Sequence, residues 1–137
     1  MADLSQTAAS VTVKATGSVS IVVGGEAITQ GMPVYLNSSD GEHYKADRTT
    51  SATTAAAVGI ALTPCDADGD YFVIAKTGTT VDLGATLTVG QTYVVSDSGG
   101  ISAIADLASN DYVTHLGVAT AADKLPLDIN ATGALVP

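Results

Sequence analysis

Asp66-Ala67-Asp68-Gly69-Asp70 sets three carboxylates at alternate positions, a spacing with which a loop can turn several oxygens onto one hard cation. An EF-hand loop also requires glycine at its sixth position and glutamate at its twelfth. Tyr71 and Thr77 stand there instead, so the segment is expected to be a solvated acidic turn. Softer metals need other donors. His43, His115 and Cys65 are the only histidines and the only thiol, and none has Cys-x2-Cys or His-x3-His spacing, which argues against zinc. His43 lies beside an expected hairpin and should be exposed. His115 falls in an apolar strand and reads as a packing residue. Cys65 follows Pro64 at a strand end and reads as a small, partly buried hydrophobe.

Ser96-Asp97-Ser98-Gly99-Gly100 resembles the Gly-Asp-Ser-Gly-Gly segment around the nucleophile of trypsin-like serine proteases. A serine attacks a carbonyl only beside a base held by a third group. Neither histidine here lies in the Ala-Ala-His-Cys context of that family, and Ser96 replaces its first glycine. The segment also aligns with Asn37-Ser38-Ser39-Asp40-Gly41, so it reads as a duplicated hairpin turn. No G-x-x-x-x-G-K-(S/T) loop is present to cradle phosphates. Tyr35, Tyr44, Tyr71, Tyr93 and Tyr112 are spread over several expected strands, which favours core or rim packing over a stacking platform. The expectation is a chain that is not an enzyme, with no cofactor and no metal.

These elements must be positioned by a chain of 137 residues, with Lys+Arg 5 against Asp+Glu 14 and a net charge of -9. So acidic a chain lacks the clustered cations that displace counterions from nucleic acid or hold an anionic membrane. Hydrophobic residues at 46% with charged residues at 14% describe a folded chain rather than a disordered one. The longest apolar run, from Ala55 to Leu62, is far short of the ~20 residues that span a bilayer. Aromatic residues are only 4%, so the core is built of small side chains that each bury little area. Part of the stability is therefore expected from contacts in a homo-oligomer. One cysteine excludes an internal disulfide, and the first residues lack the pattern of a signal peptide, so synthesis and retention in a cytoplasm are expected.

Thr, Val and Gly recur without helical periodicity, which predicts an all-β fold. Strands are expected at 11–15, 19–23, 33–36, 44–46, 58–62, 71–75, 80–83, 92–95, 113–119 and 125–129, with one short helix at 103–109. Residues 1–10 read as an extended N-terminal arm, 49–56 as a loop, and 11–137 as one domain. Within it a repeat is visible. Gly25-Glu26-Ala27-Ile28-Thr29-Gln30-Gly31 followed by Val34-Tyr35-Leu36 answers Gly84-Ala85-Thr86-Leu87-Thr88-Val89-Gly90 followed by Tyr93-Val94-Val95. Val58-Gly59-Ile60-Ala61 answers Leu116-Gly117-Val118-Ala119, and Thr16-Gly17 answers Thr77-Gly78. Halves of about 11–70 and 71–137 are too small to be separate folds. They predict one pseudo-twofold β-barrel or sandwich, with Ile28 and Leu87 each plugging an end.

Gly25-Glu26-Ala27-Ile28-Thr29-x-Gly31-Met32-Pro33-Val34-Tyr35-Leu36, then Tyr44-Lys45-Ala46-Asp47, then Ala57-Val58-Gly59-Ile60-Ala61 resembles the cement, or head decoration, proteins of tailed phages. The stretch from Gly90 through Ala119 is similar to that family's C-terminal half, and the likeness runs over roughly 11–131. The resemblance implies a non-enzymatic β-domain on the outside of a phage head, at three-fold or quasi-three-fold positions, made in the host cytoplasm and carried in the virion. It implies a homo-oligomer, a trimer for choice, that clamps neighbouring major capsid protein subunits and touches neither nucleic acid nor membrane. The arm, with Leu4, Val11 and Val13, is the expected contact. A tail- or fibre-associated module that binds a receptor or sugar is the alternative with the same composition.

Overall fold

Two antiparallel sheets pack face to face as a sandwich in the computed structural model, which describes residues 3–137. Met1 and Ala2 of the expected arm lie outside the described residues. The strands are β1 (Val11–Ala15), β2 (Ser18–Val23), β3 (Pro33–Asn37), β4 (Glu42–Lys45), β5 (Ala57–Ala61), β6 (Tyr71–Lys76), β7 (Thr80–Leu83), β8 (Thr92–Val95), β9 (Ile101–Ala103), β10 (Tyr112–Val118) and β11 (Leu125–Leu135). A single turn of helix, α1 (Ala52–Ala55), precedes β5. Among the described residues no helix is long and apolar enough to cross a membrane.

The sequence repeat becomes a repeat of topology. One sheet has the order β2-β6-β5-β3-β4 and the other β1-β7-β11-β10-β8-β9. Substituting β7, β11, β10, β8 and β9 for β2, β6, β5, β3 and β4 turns the first order into the second, with β1 left over at the edge. In space the correspondence therefore runs from 18–76 to 80–135. Individual hydrogen bonds obey it. Gly31 N–H donates to the Ala61 carbonyl and Gly90 N–H to that of Ala119, each at 2.8 Å. Met32 N–H meets Thr29 O as Gln91 N–H meets Thr88 O.

Glycine spacing explains the corners. Each half begins with a Thr-Gly corner, and a Cβ on Gly17 would stand 2.1 Å from the Gly78 carbonyl oxygen. Only a residue without a side chain lets the two backbones cross so closely. Thr79 completes the crossing, its hydroxyl accepting from Ser18 N–H and donating to Ser18 O, both at 2.8 Å.

Two apolar clusters result. The main one lies between the sheets and joins Ala57, Ile60 and Ala75 to Val81, Leu83, Leu87, Tyr93, Leu116, Leu125 and Leu127. The second fills the opposite face of the five-stranded sheet with Ile28, Val34, Ala61, Cys65, Phe72 and Ile74. Ile28 and Leu87 are both buried, one in each cluster, held by backbone bonds to Cys65 and Ala122. The five-stranded sheet curls around the second cluster until Gly24 at the end of β2 bridges His43 of β4, short of a closed barrel.

Three elements differ from expectation. The segment read as a helix over 103–109 is a single 3-10 turn, Ile104–Asp106, because β9 claims Ile101–Ala103. The expected loop at 49–56 holds α1, started by a capping box in which Ser51 Oγ accepts from Thr54 N–H at 3.1 Å. The last strand runs on past Ile129 to Leu135, since β10 continues to pair with it.

Candidate functional site

The Ser98 segment forms the β8–β9 turn. Ser98 has φ 46° and Gly99 φ 83°, the left-handed geometry of a tight reversal. Ser96 N–H closes the turn on Gly100 O at 2.9 Å. The Ser98 hydroxyl faces Asp47 Oδ2 at 3.4 Å. Burial pushes the Asp47 carboxyl up, but bonds from Thr49 and Ser98 outweigh it and hold the group below its ordinary value. Both imidazoles lie on other strands, His43 on β4 and His115 on β10. His43 Nδ1 lies 3.2 Å from Val23 O, and His115 sits mid-strand opposite Val94 and Asn130. Among the described residues neither histidine is brought to Ser98.

His43 is not the exposed residue expected beside a hairpin. It is 8% exposed, stacked edge-on against Phe72 with ring centroids 6.4 Å apart. The curl of the five-stranded sheet carries β4 over the second cluster, a long-range effect invisible in local sequence. Burial pushes its imidazole pKa down, opposed by the Val23 carbonyl. Cys65 is fully rather than partly buried, and burial pushes its thiol up.

The acidic segment is the exposed loop from β5 to β6, tied down by Gly69 N–H to Gly24 O at 2.8 Å and Asp70 N–H to Ala67 O at 3.1 Å. Asp68 meets Glu42 across the loop, and the hydrogen bond between the two carboxyls holds Glu42 above its ordinary value. Among the described residues no three His, Cys, Asp or Glu side chains converge. The tyrosines do not converge either. Tyr35 and Tyr44 pack at 5.9 Å between ring centroids, and Tyr44 donates to Asp40. Tyr93 is buried with its hydroxyl accepting from Thr88 N–H, while Tyr71 is largely exposed.

The N-terminal arm laces the two sheets together. Leu4 N–H donates to Ile101 O at 2.7 Å and Thr7 N–H to Gly84 O at 2.7 Å. Gln6 Nε2 spans the seam, donating to Gly31 O at 3.1 Å and Leu83 O at 3.0 Å. Asp3 accepts from the Ser96 hydroxyl. Leu4 packs against the main cluster, Val11 lies inside the chain's own core opposite Leu83, and Val13 is 38% exposed opposite Val81. Residues 3, 5 and 7 are exposed while 4 and 6 are half-buried. An open cleft of about 280 Å³ lies beside the arm, between Gln6, Gln30, Met32 and the Ser98 turn.

Sequence reasoning passed over Arg48, the only arginine in the chain. It is 1% exposed, with Nε 3.1 Å from Asp111 Oδ2 and 3.3 Å from Asp97 Oδ1, and Nη1 donating to Ser102 Oγ at 3.0 Å. Its backbone bonds Ser96 and Tyr112. One side chain from the end of the five-stranded sheet thus pins the β8–β9 turn and the start of β10. Its uniqueness in a cation-poor chain was the available signal.

The whole is a stapled β scaffold with a docked arm and varied outer surfaces. A family model described as phage cement protein matches residues 3–77, which is more than half of the chain and spans the arm, β1 and the complete five-stranded sheet. No curated protein matches the chain.

Proposed function

This chain belongs to the phage cement protein family, and on that premise we propose that it attaches to the outer surface of a phage head and clamps neighbouring major capsid subunits. The role is structural and capsid-associated, and it needs no chemistry of its own. The family match over 3–77 carries the reading. The form of the molecule supports it: an arm and a sandwich bound into one body by Gln6 and Arg48 transmit force between the surfaces they touch. The contact is made by the outward side of the arm together with Val13, while Leu4 and Val11 anchor the arm from within. On the head the protein acts as a homo-oligomer, a trimer suiting three-fold positions.

Stoichiometry in purified virions tests this. A 13.6 kDa band present at one copy per major capsid subunit, or an integer fraction of that, is the expected result. A few copies per particle would move the protein to the tail, and absence from particles would overturn a virion role.

A further inference from the structure

Four strands end the two sheets, and three of their outer edges are covered or blunted. β9 carries the arm through the bond from Leu4 to Ile101. β4 is met by Gly25, whose N–H donates to His43 O at 2.9 Å, and by Glu26, which accepts from Lys45 N–H at 2.9 Å. β1 slips register between Val13 and Ala15 and bears Lys14, paired with Asp123 at 3.2 Å. A bulge and a lysine are devices that stop an edge from pairing onward. β2 has neither. Its sequence, Ser-Val-Ser-Ile-Val-Val, contains no charge and no proline, and it pairs with β6 in unbroken register over all six residues.

The face beside that edge is apolar. Val19 and Ile21 are 48% and 73% exposed, and Tyr71 is 73% exposed. The pairs Ile21–Val73 and Val23–Tyr71 set them on one side of the ribbon. The counterpart of β2 in the other sheet, β7, is covered by β1. β4 reaches only the far end of β2, where Gly24 bridges His43 and the His43 ring lies against Val23 O, and among the described residues no strand covers Ser18 to Val22.

We propose that the β2 edge is an interface between two copies of this chain, β2 pairing antiparallel with β2 of the second copy about a twofold axis and joining the two five-stranded sheets. An uncharged edge is where copies of a chain with net charge -9 meet without like-charge contact. The ribbon's ends also match. The acidic turn of Asp66, Asp68 and Asp70 is tied to Gly24 at one end of β2, and Lys76 pairs with Ser18 at the other. Antiparallel pairing sets each lysine end beside the partner's acidic end, whereas parallel pairing would oppose like to like. A twofold contact is self-complementary by construction. On a head it would join one oligomer to the next.

Sedimentation of the full chain over a concentration series tests this without reference to the head. The wild type should form a concentration-dependent even-numbered species. Ile21→Lys and Val19→Lys should each weaken it by about tenfold or more, and Val13→Lys on the bulged edge should leave it intact. Thermal melting of each variant verifies that it is folded. A wild type with no such species, or one that Ile21→Lys leaves unchanged, overturns the proposal. If the wild type stays unpaired while Ile21→Lys alone loses attachment to heads, the edge serves a capsid strand instead, which also overturns self-pairing.

Discussion

Gly17 and Gly78 touch: a Cβ on the first would stand 2.1 Å from the carbonyl oxygen of the second. The contact sits where both halves begin, so it fixes how one sheet is placed on the other. Gly17→Ala should therefore act on the whole fold rather than on one turn. The expected loss is about 1–3 kcal/mol, the range for forcing atoms into a filled space, read as a lower urea midpoint. An unchanged midpoint would mean that the corners separate without cost.

Arg48→Met removes a cation from among Asp97, Asp111 and Ser102. Asp111, whose side chain is 10% exposed, would be left with an uncompensated charge. Breaking one side of a buried pair costs about 3–5 kcal/mol. Adding Asp111→Leu should recover part of that loss. A double-mutant cycle on chemical unfolding measures both, and strictly additive losses would deny the pairing.

Gln6→Ala leaves the carbonyls of Gly31 and Leu83 without their shared donor. The expected cost is about 1–3 kcal/mol. Amide exchange distinguishes a local effect from a global one. Leu4 and Thr7 should exchange faster than the β10 amides in the variant, because the arm opens first.

Ser98 adopts φ 46°, a backbone conformation that costs a side-chain-bearing residue roughly 1–2 kcal/mol. Its hydroxyl gains little from Asp47 at 3.4 Å. Ser98→Gly should thus be neutral to stabilising by about 1 kcal/mol. A marked loss on thermal unfolding would assign Ser98 an interaction beyond the turn.

Stability should fall with acid through His43. Its folded-state pKa is depressed below the ordinary 6.5 by burial, so the unfolded chain binds the proton more tightly. The contribution is complete above about pH 6.5 and is lost as pH falls through the folded value. His43→Gln should flatten the dependence of the urea midpoint between neutral pH and that value. An equal slope in wild type and variant would sink the assignment.

Local sequence announced the strands whose turns it spelled out. β1 and β7 begin and end where alternation and Gly-containing corners put them, and the Ser98 segment is the turn that its alignment with 37–41 implies. The repeat carried further still, since sheet order follows it strand for strand. What stayed hidden depends on distant partners. β9 is three residues long and exists because β8 offers it an edge. His43 is buried by a curl of the sheet that no window around it encodes, and Arg48 finds its carboxylates at positions 97 and 111. Val11 is legible as the start of a strand, but its burial depends on Leu83 standing opposite it.

The two matching strand orders have a consequence for how the halves depend on each other. A chain carrying one five-stranded sheet alone could hide its inner face only by finding a second copy, and its folding would then vary with concentration. Here the corner at Thr77-Gly78 makes that encounter intramolecular, so each half always has its partner. Covalent linkage also releases the halves from having to stay alike. Arg48 has Leu107 at the matching place in the other half, and β1 flanks one sheet and not the other. Two surfaces that descend from one pattern are thereby free to meet different neighbours.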